Sequence, residues 1–221
     1  MSRGRKPRAE RPEPSREQLM AAAIDCFARL GYQGTTIDRI ARDAGVTKGA
    51  VYYHFRDKEE LLFEAVKDRI GGFEQHVLEK VKVTPAPDAL TRLREVVDAC
   101  FFHATVSNHR RFIMTLMIEA LDTNPRLSAE FRDILRRMRT FLTTVVLRGQ
   151  QKGTLRAEVA PEAAAAVIMG GIIGAEVQHY QDPEEIDLRR VLDTLVEQVS
   201  AWLATASSGT GVAVSGGNRA W

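Results

Sequence analysis

The sequence predicts an all-α protein, with a three-helix helix-turn-helix unit at the N-terminus and a larger helical domain after it. Apolar residues recur at spacings of three and four in one segment after another, and no run of alternating β-branched residues competes with them. Helix-stopping residues at Gly31, Gly45, Thr84-Pro85-Ala86-Pro87, Thr123-Asn124-Pro125, Gly149 to Gly153, Pro161 and Pro183 leave segments of helical length between them. At 221 residues the chain can hold one or two domains.

Residues 1–14 form an arm with Pro7, Pro12 and Pro14 and no apolar face, so it is expected to be disordered alone. Together with Arg16 it sets Arg3, Arg5, Lys6, Arg8 and Arg11 against Glu10 and Glu13. A solvated tail and a basic arm that orders against DNA are both open readings. The first helix starts at Ser15 or Arg16 and runs to Leu30, with Leu19, Ala23, Cys26, Phe27 and Leu30 on one face, and closes at Gly31.

The most informative stretch runs from Thr35 to Phe55. A helix from about Thr36 to Ala44 would bury Ile37, Ile40, Ala41 and Ala44. Gly45 stands where the chain must leave it with a positive φ. Val46 anchors the corner, and Thr47 is placed to cap the next helix. That short helix ends near His54. It turns Ala50, Val51 and Phe55 inward, and Lys48, Gly49, Tyr52 and His54 outward. A plain helical hairpin would also give a helix-glycine-helix pattern. The outward residues favour a contact surface, because phenols donate to phosphate oxygens and an amine at a helix N-terminus suits an anion.

Asp57, with Glu60 three residues on, then signals the start of a long helix reaching Gly71-Gly72 or beyond, with Leu61, Leu62, Ala65 and Val66 near its beginning. From Thr35-Thr36, through Gly45-Val46-Thr47 and Val51-Tyr52-Tyr53-His54-Phe55, to Lys58-Glu59-Glu60-Leu61-Leu62, the chain resembles the DNA-binding domain of TetR-family transcriptional regulators. The resemblance covers about residues 15–67. It implies that Thr36, Tyr52, Tyr53, His54 and Lys58 contact phosphates, while Lys48 and Gly49 face base edges; Thr47 completes the DNA-binding set. Tyr53 has a competing role, its ring covering the core while the hydroxyl alone reaches DNA. Ile37 stands where some relatives carry a base-reading arginine.

Beyond residue 67 the resemblance extends only to length and helix order. A helical effector-binding and dimerisation domain is expected over 68–204, and a disordered Ser/Gly-rich tail over 205–221. Helices are expected from Asp88 to about residue 106, over 110–121, over 127–151, over 161–180 and over 186–204. Phe101, Phe102, Phe112, Met114, Met117, Phe141 and Met169, interleaved with His103, Glu119, Glu176 and His179, suit an apolar pocket with a few polar anchors. They would equally suit a plain core. The candidate ligand set is Phe101, His103, Phe112, Met117, Glu119, Phe141 and Glu176. Helix 161–180 is small-sided through Ala163 to Ala166, Gly170, Gly171 and Gly174, which allows close packing against a second subunit or within one. The resemblance favours a homodimer joined by two helices from each protomer. Ala166, Gly170, Gly174, Leu188, Leu192 and Leu195 form the candidate contacts, with Val191 and Val199 beside them.

Other function classes find little support. No metal-ligand histidine spacing, nucleophile elbow or phosphate-binding glycine loop is present, so neither catalysis nor a metal or cofactor is expected. Gly170-Gly171 and Gly174 lie inside a helical pattern, where they cannot cradle a phosphate. No apolar run reaches membrane-spanning length and no signal peptide is evident, so a cytoplasmic protein is expected. Cys26 and Cys100 have apolar neighbours and read as buried thiols. Net charge is only +2, so the arm rather than the whole chain carries the basic signal. The reading is a ligand-responsive repressor that binds a palindromic double-stranded DNA operator and is released by a small hydrophobic effector. The alternatives are a DNA-binding regulator without an effector or, from a different class, a helical enzyme.

Overall fold

The computed structural model describes residues 15–83, 88–106 and 110–205, and their side chains except at 76 and 78–83. The arm at 1–14, and the tail apart from Thr205, lie outside the described residues. Among those described there are nine helices: α1 (Arg16–Gly34), α2 (Ile37–Asp43), α3 (Lys48–His54), α4 (Lys58–Val83), α5 (Ala89–Val106), α6 (Arg110–Thr123), α7 (Pro125–Gln151), α8 (Pro161–Gln181) and α9 (Leu188–Leu203). Leu155 and Ala204 form an isolated antiparallel bridge. No helix among these residues is long and apolar enough to cross a membrane.

Local chemistry sets most of the boundaries. Ser15 and Gln18 close a reciprocal capping box at the start of α1. Gly31 breaks that helix where the sequence places its end. Gly31 takes a φ of 69° inside the element, and the chain makes one more turn before Thr35, whose hydroxyl donates to the Gly31 carbonyl at 2.8 Å. Asn124 caps α7, accepting from the Leu127 N–H at 3.0 Å, with Pro125 in the first turn where its missing N–H costs nothing. Asp57 accepts from the Glu60 N–H at 2.8 Å, while the Glu60 carboxylate reaches back to the Arg56 N–H at 2.7 Å.

Two apolar cores stack along the molecule. The first joins α1 to α4 and continues into α6 and α7 through Ile113, Leu116, Ala120, Leu127, Phe131, Ile134 and Met138. The second unites α5, α7, α8 and α9. The N-terminal helices therefore have no core of their own that ends at residue 67. α4 crosses that boundary, with Leu61, Leu62, Ala65 and Val66 buried near its start and Val77 buried further on.

The second core corrects part of the expected subunit interface. Leu188 and Leu192 are 2% and 0% exposed and pack inside their own protomer. Leu195 leans on Gly171, where an added Cβ would meet its Cδ1 at 2.6 Å. The glycine thus serves close α8–α9 packing within the chain. Ala166 and Gly170 are instead exposed on the opposite side of α8, with Ala163 and Val167, and Gly174 is half-buried beside them.

Candidate DNA-binding surface and effector cavity

The corner between α2 and α3 is built as its residues require. The α2 helix ends at Ala44, Gly45 follows at φ 70°, and the Val46 N–H returns to the Ala41 carbonyl at 2.9 Å. Thr47 caps α3, accepting from the Ala50 N–H at 3.2 Å. Val51 and Phe55 are buried in the first core, and the Arg16 guanidinium lies 5.0 Å from the Phe55 ring centre. This pins a short helix that could not persist alone.

Its outer face carries Lys48, Gly49, Tyr52 and Tyr53 in solvent, with Thr36 and Thr47 also exposed. Tyr53 is 78% exposed and meets His54 edge-on, so its ring does not cover the core as the competing reading had it. Lys48 donates to Asp38 of α2 at 2.8 Å, which ties the two helices and raises the pKa of the amine. Thr36 caps α2 through the Arg39 N–H at 3.2 Å.

One expectation changes. Lys58 does not simply project outward. Its amine donates to the Tyr32 and Thr35 carbonyls at 2.8 and 3.0 Å and lies 4.1 Å from the Tyr32 ring centre, bracing the end of α1. Ile37 is 7% exposed and belongs to the core, as its helical phase predicts. The outward residues of α2 are Asp38, Arg39 and Arg42, and Arg56 is exposed beyond α3. Arg39 and Arg42 were missed, although burying Ile37, Ile40 and Ala41 already implies them by helical phase.

Between the cores lies a cavity of about 880 Å³, walled by α4 to α8 with Asp25 of α1 at its edge. Phe73, Phe102, Ile113, Met114, Met117, Phe131, Met138, Met169 and Ile172 give it an apolar lining, and His103, Arg110 and Gln75 add polar groups. Of the candidate ligand residues, His103 and Met117 reach this wall. Phe101 does not: it packs in the second core under the Arg189 guanidinium. Phe112 stacks on Phe27 with centroids 6.3 Å apart, and Phe141 packs against the second core. Glu119 is exposed, two residues and about 200° round the helix from Met117.

Glu176 is fully buried but stands behind the wall, held by Arg110. The guanidinium donates from Nε and Nη2 to the two carboxylate oxygens, each at 3.1 Å, and lies 4.4 Å from the Phe73 ring centre. Burial raises the Glu176 pKa and the bonds from Arg110 oppose that rise. Burial also pushes the nearby Cys100 thiol up to about 12, with the Glu176 charge adding to it. Neither Arg110 nor Phe73 was a sequence candidate. A signal existed: Glu176 interrupts the apolar α8, and a buried carboxylate demands a cation. Among the described residues no cluster of side chains has the makings of a metal site.

Residues 19–65 match the sequence profile of bacterial regulatory proteins of the tetR family, and residues 89–204 match that of the C-terminal region of BetI-type transcriptional repressors. The chain belongs to the TetR family. It is a DNA-binding transcriptional regulator and not an enzyme. The fatty acid metabolism regulator protein of Bacillus subtilis (strain 168) is 25% identical over 184 residues, which is 83% of this chain and 93% of that one. The crystal structure of FadR from Bacillus subtilis in complex with stearoyl-CoA superposes with a TM-score of 0.71 at 23% identity, covering 85% of this chain and 99% of that one. A transcriptional regulator from Saccharomonospora viridis in complex with choline superposes with a TM-score of 0.77 at 19% identity, covering 86% and 97%. At these identities the two structures show a shared fold. In TetR-family terms α1 to α3 with the start of α4 form the DNA-binding unit, and α5 to α9 form the C-terminal domain.

Proposed function

We propose that this regulator represses transcription as a homodimer on a palindromic operator in the cytoplasm, and that a small hydrophobic molecule in the cavity releases it. One observation carries the reading: α4 belongs to both sites. Its first turns are buried against α1 in the DNA-binding unit, while Phe73 and Gly71-Gly72 border the cavity. A ligand that displaces the middle of α4 must therefore also move the unit that presents α3. A coupling of about 1–3 kcal/mol, the usual allosteric range, lowers operator affinity roughly 5–150-fold.

On DNA, Tyr52, Tyr53, Thr36, Thr47 and His54 are suited to phosphates, and Gly49 allows close backbone approach. Lys48 would read a base edge only by leaving or sharing Asp38. Lys58 would contribute to phosphate binding with what its bonds to α1 leave over. The dimer reading is supported by the outer face of α8, where Ala163, Ala166, Val167, Gly170 and Val177 are exposed and Gly174 lies half-buried among them. A helix apolar on both sides needs a second cover. A two-fold pair would then present two copies of α3 to the two halves of an inverted repeat.

Selection of bound duplexes from random DNA tests this directly. An inverted repeat is expected, with Tyr52→Ala weakening specific and random binding alike and Lys48→Ala relaxing sequence preference. Enrichment of no repeat, or wild-type operator binding by both variants in moderate salt, would overturn the docking.

A further inference from the structure

The neighbours bound to stearoyl-CoA and to choline pose opposite demands on a cavity, a long acyl chain in one and a small quaternary cation in the other. The wall of this cavity distinguishes between them. Among the described residues, Asp25, Asp68 and Arg69 line it at exposed positions, and the deep charged group is Arg110, whose side chain is 15% exposed, with Glu176 behind it 0% exposed. Nε and Nη2 are committed to that carboxylate, and among the described residues Nη1 is left with N–H groups to offer. The guanidinium also occupies a face of Phe73, at 4.4 Å.

A quaternary ammonium gains little here. It needs bare aromatic faces or an available carboxylate. Glu176, the deep carboxylate, is already neutralised, and Phe73 already carries a cation. The wall's own carboxylates, Asp25 and Asp68, stand exposed, where water screens them from a cation held near Phe102 or Phe131. An ionised carboxylate fares little better. Beside a guanidinium that Glu176 has balanced, it would bring an excess buried negative charge. An uncharged oxygen acceptor meets neither penalty. It can accept from Nη1 while its apolar body lies along Met114, Met117, Met138 and Met169, whose flexible thioethers adapt to an extended chain.

We infer that the effector is an uncharged acyl compound, an ester, thioester or amide on an apolar chain, with its carbonyl oxygen on Arg110. A cavity of about 880 Å³ is near the upper end of the range for small-molecule sites, and far exceeds the needs of a choline-sized cation. The inference rests on the effector reading above.

The test uses three probes of one chain length, below their micellar concentrations: N-methyldecanamide, decanoate and decyltrimethylammonium. Binding to the full-length protein is measured by calorimetry, and operator release by gel shift. The amide is expected to bind at least about tenfold tighter than either ion, an advantage of ~1.4 kcal/mol. The Glu176→Gln variant leaves Arg110 unbalanced and should shift preference toward decanoate by a similar factor. Should that variant fail to fold, the wild-type series still decides. Binding of the ammonium or the carboxylate as tightly as the amide, with operator release, would overturn the inference while leaving the effector reading intact. No binding by any probe would overturn both, and operator binding without ligand would stand.

Discussion

Removing one member of the Arg110–Glu176 pair should cost far more than removing both. In Arg110→Met the fully buried Glu176 loses both hydrogen bonds and its counter-charge. Breaking a buried pair in this way costs about 3–5 kcal/mol. For a chain of this size each kcal/mol lowers Tm by roughly 2–4 °C, so a fall of ~6–20 °C is expected. The double variant Arg110→Met, Glu176→Met leaves no stranded charge and should come within about 1 kcal/mol of the wild type, or exceed it. The single variant's deficit should also depend on pH. Burial already holds the Glu176 pKa above the ordinary 4.5, and losing Arg110 removes the influence that opposes it. The unfolded chain therefore releases that proton first. Stability is highest below 4.5 and falls as pH climbs through the raised value, so the deficit widens from pH 5 to pH 8. Urea melts at both pH values and matched protein concentration measure this, since the proposed dimerisation would make apparent stability concentration-dependent. Single variants that lose less than ~1 kcal/mol, or a double variant as unstable as their sum, would refute the buried pair.

Gly45→Ala and Gly71→Ala both place a methyl in open space, but Gly45 sits at φ 70° and Gly71 within a helix. The first should lose about 1–2 kcal/mol and the second gain up to about 1 kcal/mol, read from denaturant midpoints; equal signs would show that φ is not the deciding variable. Val167→Asp puts a charge on the exposed face of α8, and should convert the proposed dimer to a folded monomer by sedimentation with helicity retained. A dimer that persists unchanged would remove α8 from the interface. With the Cys100 thiol pushed up to about 12 and Cys26 buried against Asp43, neither should react with a disulfide reagent at pH 8 until urea unfolds the chain; prompt labelling of either would contradict that burial.

Local rules made much of the DNA-binding unit legible. Gly45, Thr47, Val51 and Phe55 act on neighbours within a turn or two, and each stands as its residue type requires. Lys58 was misjudged for the opposite reason. The carbonyls that hold it belong to Tyr32 and Thr35, more than twenty residues upstream, and no spacing rule connects them. The cavity was legible only as a composition. Phe101, Phe112, Phe141 and Glu119 come from the same segments as its true wall, but a step of about 100° per residue turns them elsewhere. Leu188 and Leu192 form a regular apolar stripe, and a stripe does not say whether its own subunit or a second one covers it.

Sequence alone determined the helical class, the corner at Gly45 and the outward display of Lys48, Gly49 and Tyr52, because these follow from torsional preference and from the repeat of one helix. Only the tertiary structure decided which side chains share the cavity, that Arg110 and Glu176 meet across sixty-six residues, and that Gly171 receives Leu195. Such pairings depend on the relative rotation and offset of several packed helices, a property of the assembled core that no single segment carries.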